Sequence, residues 1–435
     1  MTTLSAARAE EVLDALRRGT VPETALETFA VGLDPLRPTM EAELEQCAQG
    51  KARFKAVRGE YGTGKTFFAR WLQNLAKSKG FAASEVQVSE TETPLHRLET
   101  VYRRLIEHLS TAEEPRGALR SIVDAWFYAL EEEVVAGAGD LPENELLERT
   151  HALMSERLRT VERTAPSFGA CLRAYRDVVV KGQEDIASGL IAWMSGQPNV
   201  SASIKRVAGI KGDIDHFGAL GFLQGLLVIL RDTGCPGLVL VLDEVETLQR
   251  VRGDVREKSL NALRQFMDEI DGGRFPGLYL IITGTPAFYD GPQGVQRLQP
   301  LAQRLHVDFG KDLRFDNPRA VQIRLRPFDL EKLAEVGRNV RAIYAQRSAS
   351  PSHVNAVMTD DLIRDLAASV TGQLGGKVGV APRIFLKKLV AEVLDRIDQF
   401  PDFDPRRDYG IQVTAAELSA EERGRLSADD IELDL

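Results

Sequence analysis

The chain has 435 residues, 43% of them hydrophobic, which is enough for two or three packed domains. A formal net charge of −9 excludes a protein whose whole surface coats nucleic acid, because phosphate binding relies on a concentrated positive field. The apolar runs are too short to span a bilayer, so we expect no membrane attachment. Three cysteines without metal-ligand spacing exclude a fully paired disulfide framework, so we expect a cytoplasmic protein.

The first half of the chain alternates between helix-like and strand-like segments. Two helices are predicted within residues 1–50, followed by a strand at 53–57 and a helix at 67–77. A second strand is predicted at 86–89, and Pro94, with Thr93 as its N-cap, is expected to open the next helix. Residues 111–215 carry apolar side chains at spacings of three and four without a strand pattern, which predicts a helical insertion.

Three further strands are predicted in the second half. Residues 238–242 and 279–282 are continuous apolar runs, typical of strands buried on both faces, and residues 321–325 alternate as an edge strand would. Strands separated by helices predict an α/β fold with a parallel sheet covered on both faces. The predicted domains are an N-terminal helical segment at 1–50, a core at 51–110 and 216–328, an insertion at 111–215, a helical lid at 329–400 and an acidic tail at 401–435.

One eight-residue segment matches G-x-x-x-x-G-K-[ST] without a mismatch, between a predicted strand and a predicted helix. Glycines there allow successive N–H groups to turn inward around phosphates at the positive end of the helix. Lys65 is expected to reach the β- and γ-phosphates of ATP, and Thr66 to supply a hydroxyl to Mg²⁺. The alternative, a glycine-rich turn with a stray lysine, does not account for this context. The predicted nucleotide-binding residues are Gly59, Glu60, Tyr61, Gly62, Thr63, Gly64, Lys65 and Thr66.

Two carboxylates end the apolar strand at 238–242. Asp243 is expected to hold Mg²⁺ through water, and Glu244 to orient and polarise the water that attacks the γ-phosphate. The alternative is a helix N-cap followed by a solvated glutamate. Together the pair predicts ATP hydrolysis rather than nucleotide sensing. The next buried strand ends at Thr283, with Thr285 behind it, and either threonine could instead satisfy a local turn.

Two arginines are further candidates for the catalytic site. Arg304 precedes the edge strand, from where it could point at the nucleotide of a neighbouring subunit, although an isolated arginine is more often part of a surface ion pair. Arg383 lies in the first turn of a helix in the C-terminal helical stretch, which would allow it to reach back to the γ-phosphate from a lid.

Taken in order, the phosphate loop, Asp243 and Glu244, Thr283, Arg304 and Arg383 resemble the AAA+ family of ATPases over about residues 20–400. The resemblance implies a P-loop NTPase fold, with a five-stranded parallel sheet in the order 5-1-4-3-2 and a helical lid. It also implies that Thr283 lies between the acidic pair and the γ-phosphate. Arg304 would act across a subunit boundary, which implies a homo-oligomer.

A narrower resemblance is carried by residues 54–70 and 89–98, which look like the BrxD-type ATP-binding proteins of BREX phage-defence systems. Those proteins resemble origin-recognition and helicase-loading ATPases and are encoded beside large helicases. Glu90, Glu92 and His96 lie just beyond the second predicted strand, where they could modulate Glu244 or simply form a capped helix start.

These observations predict an oligomeric AAA+ ATPase, with ATP and Mg²⁺ as ligands, that remodels or loads a DNA-associated partner such as a helicase in antiphage defence. A nucleotide-exchange signalling switch and a DNA-filament-forming target selector are the alternatives. Direct DNA contact would require a local basic patch. The candidates are two groups that could equally be solvated faces: Lys205, Arg206 and Lys211, and Arg314, Arg319, Arg324 and Arg326.

Overall fold

The sheet at the centre of the molecule has five strands, all of them parallel. The computed structural model describes residues 4–139, 141–373 and 381–410. Within them the strands are β1 Arg53–Arg58, β2 Ala82–Gln87, β3 Leu238–Asp243, β4 Leu278–Gly284 and β5 Gln322–Arg324. Their order along the sheet is β2-β3-β4-β1-β5, which reads 5-1-4-3-2 from the β5 edge.

The two continuous apolar runs form the inner strands β3 and β4, and every residue of both strands is buried. A parallel sheet covered on both faces requires such strands, because neither face meets water. All five strands run in one direction, so their carboxyl ends lie at one edge of the sheet. Asp243, Thr283 and the loop that follows Arg58 therefore come together there.

Two predicted boundaries after the phosphate loop are wrong. Strand β2 begins at Ala82, four residues before the predicted start, because Ala82 already pairs with Leu238. The sequence does not indicate this start, since alanine favours strands weakly. The helix expected from Pro94 begins at Leu98. Residues 94–97 form a turn closed by the Arg97 N–H and the Pro94 carbonyl. The side chain that accepts backbone hydrogen bonds here is that of Ser89, which accepts from the N–H groups of Glu92 and Thr93.

Helices cover both faces of the sheet. Their bounds are α1 Ala6–Arg17, α2 Arg37–Ala48, α3 Lys65–Ser78, α4 Leu98–Glu107, α5 Leu119–Ala138, α6 Glu143–Arg157, α7 Arg159–Thr164, α8 Pro166–Val180, α9 Glu184–Met194, α10 Ala202–Val207, α11 His216–Asp232, α12 Gly253–Asp271, α13 Pro286–Asp290, α14 Gln299–Leu305, α15 Leu330–Ala345, α16 Pro351–Val357, α17 Asp360–Gln373, α18 Ala381–Lys387, a π-helical segment Lys388–Leu394, α19 Asp395–Gln399 and α20 Pro405–Asp408. Residues 411–435 of the predicted acidic tail lie outside the described residues.

Side chains alternate between two cores along each strand. Leu240 of β3 packs in one core with helices α4 to α14, and Val241 packs in the other with α1 to α3 and α15 to α19. The sheet is therefore the middle layer of three. Helices α15 to α19, which share the second core with α1 to α3, come from the stretch predicted to form a lid.

The residues of the predicted insertion form helices α5 to α10, and these helices share a core with the sheet. The ring of Phe222 on α11 has three aromatic neighbours, at centroid distances of 5.8 Å for Tyr102, 5.0 Å for Phe168 and 5.6 Å for Trp193. A Cβ atom added at Gly225 of α11 would lie 2.3 Å from Phe168 Cε1, so α8 and α11 touch at this glycine. Helices α5 to α10 thus complete one face of the core.

The first helix packs with the last helices of the described chain. Arg17 Nε lies 2.8 Å from Asp395 Oδ2, and Tyr344 donates a hydrogen bond of 2.9 Å to the other oxygen of that carboxylate. Arg347 adds an ion pair of 2.5 Å with Glu10. The chain then crosses from α1 to α2 through residues 19–36, and Arg70 of α3 holds this crossing segment by a 2.5 Å hydrogen bond to the Val21 carbonyl.

Candidate functional site

The predicted phosphate loop lies between β1 and α3, at the carboxyl edge of the sheet. Gly62 and Gly64 have φ angles of 80° and 91°, in the left-handed region that only glycine adopts readily, and Gly64 immediately precedes the helix. Thr63 closes the loop by donating a hydrogen bond of 2.8 Å to the Glu60 carbonyl. The loop therefore has the turn and the helix N-terminus that phosphate binding requires.

Thr66 and Asp243, the predicted magnesium ligands, are in direct contact. Thr66 Oγ1 donates a hydrogen bond of 2.9 Å to Asp243 Oδ2, and Asp243 is buried. A hydroxyl and a carboxylate are hard oxygen ligands that suit Mg²⁺. No three histidine, cysteine, aspartate or glutamate side chains within the described ranges are grouped so that they could hold a metal. A Mg²⁺ ion here would therefore also need phosphate oxygens and water.

Thr283 joins the ends of β3 and β4. Its hydroxyl is fully buried, donates a hydrogen bond to Asp243 Oδ1 and accepts one of 3.2 Å from the Glu244 N–H. The predicted threonine therefore contacts both acidic residues. It fixes the side chain of Asp243 and the backbone of Glu244. Thr285 is also buried, two residues further on.

Glu244 has an unusual backbone, with φ 59° and ψ 43°. Its Oε2 accepts a hydrogen bond of 2.9 Å from Nε2 of Gln87, the last residue of β2. The sequence reasoning missed Gln87 because it placed β2 too late along the chain. Pairing of Gln87 with Asp243 in the parallel register explains why Gln87 lies beside the acidic pair.

Of the three residues expected to modulate Glu244, Glu92 and His96 contact other residues. Glu92 pairs with Arg104 of α4 at 2.9 Å, and His96 lies 3.5 Å from Ser259 of α12. Glu90 is exposed to solvent. Partial burial, followed by the positive charges of Arg97 and Lys258, lowers the pKa of His96.

Glu246 is a third carboxylate at this site, and the sequence reasoning missed it. It is 3% exposed, and its Oε1 lies 3.6 Å from Lys65 Nζ. Lys65 also donates hydrogen bonds to the carbonyls of Gly59, at 2.9 Å, and Glu60, at 3.4 Å. Burial raises the pKa of Glu246, and the Lys65 charge opposes that rise. The sequence feature that could have identified Glu246 is the presence of a third acidic residue within residues 243–246.

A cleft of about 680 Å³ opens beside the loop, which is within the usual size of ligand pockets. Glu244, Glu246 and residues 61–67 line it, together with residues of the crossing segment 19–36. The lining is partly apolar, with Val21, Phe29, Val31, Phe328 and Val336. It also carries cationic side chains, from Lys65, Arg250, Arg314, Arg324, Arg326, Lys332 and Arg383. Apolar walls suit the nucleobase of a nucleotide, and clustered cations suit its phosphates.

The two candidate arginines have different positions. Arg383 is among the residues that line the cleft, although residues 374–380 before its helix are outside the described residues. Arg304, on α14, is not in that lining and forms ion pairs with Asp268 and, at 3.8 Å, with Asp271 of the same chain. The surface ion pair considered for Arg304 is thus present in the single chain.

Several basic residues of the two candidate DNA patches have acidic or backbone partners. Lys205 lies 3.1 Å from Asp213, Arg314 lies 2.6 Å from Asp312, and Arg324 lies 2.6 Å from Asp316. Arg326 donates a hydrogen bond of 2.5 Å to the Leu313 carbonyl. These contacts reduce the positive charge that each patch could offer to a phosphate backbone.

A phosphate loop at the end of the inner strand β1, with its threonine bonded to a strand-end aspartate, defines the class of P-loop nucleotide-binding proteins. A family model described as "BREX system ATP-binding protein BrxC/D" matches residues 4–413. The chain belongs to this family of ATP-binding proteins, which confirms the resemblance predicted from the sequence.

A further similarity covers a smaller part of the chain. ATP-binding cassette sub-family C member 3 of Rattus norvegicus is 22% identical over 196 residues, which are 44% of this chain. The match covers 12% of that protein's own length. No helix in the described part of the chain combines the length and the apolar character needed to cross a membrane.

Proposed function

We propose that this chain is a Mg²⁺-dependent ATPase in which Glu244 activates the attacking water. The observation that carries the proposal is the unbroken set of hydrogen bonds from Thr66 through Asp243 and Thr283 to the Glu244 backbone. A protein that only held a nucleotide would not require a glutamate whose backbone is fixed in this way beside the metal ligands. Bound between Thr66 and Asp243, Mg²⁺ would supply positive charge to the β- and γ-phosphate oxygens.

Each loop and strand-end group has a separate task in this proposal. Lys65 and the loop N–H groups hold the β- and γ-phosphates, and Arg383 approaches the γ-phosphate from the lid. Gln87 positions the Glu244 carboxylate through the hydrogen bond to Oε2. Glu244 takes a proton from water as the water oxygen attacks phosphorus, and ADP and phosphate leave.

Lys65→Ala should abolish measurable ATP binding, because the variant loses the charged group that opposes the phosphates from inside the loop. Isothermal titration calorimetry with Mg-ATP measures this. Lys79→Ala, which removes an exposed lysine after the end of the same helix, should bind ATP like the wild type. Unchanged affinity in Lys65→Ala would show that the nucleotide binds elsewhere.

We further propose that the ATPase works as a cytoplasmic homo-oligomer of AAA+ type that remodels or loads a DNA-associated partner, such as a helicase, in phage defence. Membership of a BREX family supports the defence context. We expect slow basal turnover that DNA alone changes little. Strong stimulation by DNA alone would instead indicate a filament-forming target selector, and nucleotide exchange without turnover would indicate a signalling switch.

Arg304 is the residue proposed to act across the subunit boundary. Its position outside the cleft of its own chain supports this role, since a residue that serves a neighbour must lie on the outer surface. Arg304→Ala should bind ATP normally and hydrolyse it at least about 100-fold more slowly than the wild type. Steady-state turnover measures this, and Arg264→Ala is the matched control because Arg264 also pairs with Asp268, at 3.4 Å.

Mixing provides the sharper test of the same role. A Lys65→Ala subunit has no functional site but an intact arginine, and an Arg304→Ala subunit has the reverse. A mixture shown to co-assemble should therefore recover part of the turnover, and specific activity should rise with protein concentration. Absence of recovery, or wild-type turnover by Arg304→Ala alone, would mean that Arg304 is structural and acts through its ion pairs with Asp268 and Asp271.

A further inference from the structure

Glu246 is the buried acidic group of the cleft for which the proposed reaction has no use. Neither of its carboxylate oxygens makes a hydrogen bond to another residue of the described chain, although the residue is buried. Buried carboxylates are normally hydrogen-bonded or ion-paired, because a desolvated charge without a partner is costly. The residue must therefore gain its compensation from a charge nearby.

Lys65 is the nearest such charge. Its Nζ lies 3.6 Å from Glu246 Oε1, which is too long for a good hydrogen bond but close enough for a strong Coulomb attraction in a buried site. The same ammonium donates hydrogen bonds to the carbonyls of Gly59 and Glu60 and lies 5.0 Å from the Tyr61 ring centroid. Together these groups hold the ammonium inside the concave side of the loop.

The phosphates of a bound nucleotide would attract the same ammonium. We propose that Glu246 competes with the β- and γ-phosphates for Lys65, and that this competition weakens nucleotide binding and speeds the release of ADP. The inference rests on the proposed function, since it assigns the nucleotide to this loop. Glu246 also faces the cleft, so its negative charge repels the phosphates directly. The competition for Lys65 and the direct repulsion both weaken nucleotide binding.

Removing the charge while keeping the shape tests this role. Glu246→Gln should bind both ATP and ADP about tenfold more tightly than the wild type and release ADP more slowly by a similar factor. Calorimetry gives the dissociation constants, and stopped-flow displacement of a fluorescent ADP analogue gives the release rate. The control is Glu257→Gln, which removes an exposed acidic charge on α12 and should change neither quantity.

A residue needed only for folding would not give tighter binding when it is replaced. Unchanged or weaker affinity for both nucleotides in a folded Glu246→Gln protein would therefore overturn the proposal. Tighter binding with an unchanged ADP release rate would overturn the part that concerns release.

A second measurement needs no nucleotide and so separates this inference from the proposed ATPase function. In nucleotide-free protein, Lys65→Met should leave Glu246 without its cation and lower the melting temperature by about 3 °C or more. Glu246→Gln in the same chain should recover most of that loss, since the uncompensated charge is then gone. Additive effects of the two substitutions would show that the side chains are not coupled. Coupling without ATP binding by the wild type would instead show that only the proposed function is wrong.

Discussion

Glu244→Gln should bind ATP with wild-type affinity and hydrolyse it about 100- to 10,000-fold more slowly, which is the range expected for loss of a general base. The amide keeps the size of the side chain and can still contact Gln87, but it cannot accept a proton from water. Asp243, Thr66 and Thr283 keep their mutual hydrogen bonds, so the proposed metal ligands should be unaffected. Single-turnover hydrolysis under saturating ATP isolates the chemical step.

The control for this variant is Glu90→Gln, because Glu90 is one of the two acidic residues expected from the sequence to modulate Glu244. It is exposed beyond the end of β2, so its replacement should leave turnover unchanged. Wild-type turnover by Glu244→Gln would transfer the role of base to another carboxylate. Glu246 would then be the first to examine, since it lines the same cleft.

Deletion of residues 115–205 should give a protein that does not fold, because the predicted insertion shares a core with the sheet. The deletion removes Phe168 and Trp193 from around Phe222 and exposes α4 and α11, which the sheet needs as cover. It also removes Trp126, whose indole N–H donates a hydrogen bond of 2.7 Å to Asp232 of α11. Loss of several buried aromatic side chains, at about 3–5 kcal/mol each, exceeds the usual stability of a domain.

Circular dichroism and size-exclusion chromatography would measure this outcome. Two linkers of different length should be compared, so that strain at the junction cannot explain a failure to fold. A deletion protein that does not aggregate, melts cooperatively and still binds ATP would show that the insertion is a separate module.

The parts of the site that the sequence predicts are those encoded by adjacent residues. The phosphate loop needs glycines and a Lys-Thr pair at fixed spacing, and Asp243 and Glu244 follow an apolar run that only a doubly buried strand explains. These features are local, so one sequence suffices to place them. The same reasoning placed strands β3 and β4 and the helix after the phosphate loop.

The parts that it missed depend on which strands become neighbours. Gln87 reaches Glu244 because β2 pairs with β3, and β2 begins with Ala82 and Ala83, whose small side chains carry little strand signal. Glu246 lies beside Lys65 because a short 3-10 helix after β3, Val245–Gln249, turns it back toward the phosphate loop. The role between subunits predicted for Arg304 stays a prediction, because the single chain shows this residue paired with Asp268.

The packing of α1 against the C-terminal helices has a mechanical consequence. That helical layer is joined to the sheet by two lengths of chain, the crossing segment 19–36 and the residues between β5 and α15, and both contribute side chains to the wall of the cleft. The same layer also packs against the sheet in one core, so any displacement of these helices would move both connections and the wall of the cleft together.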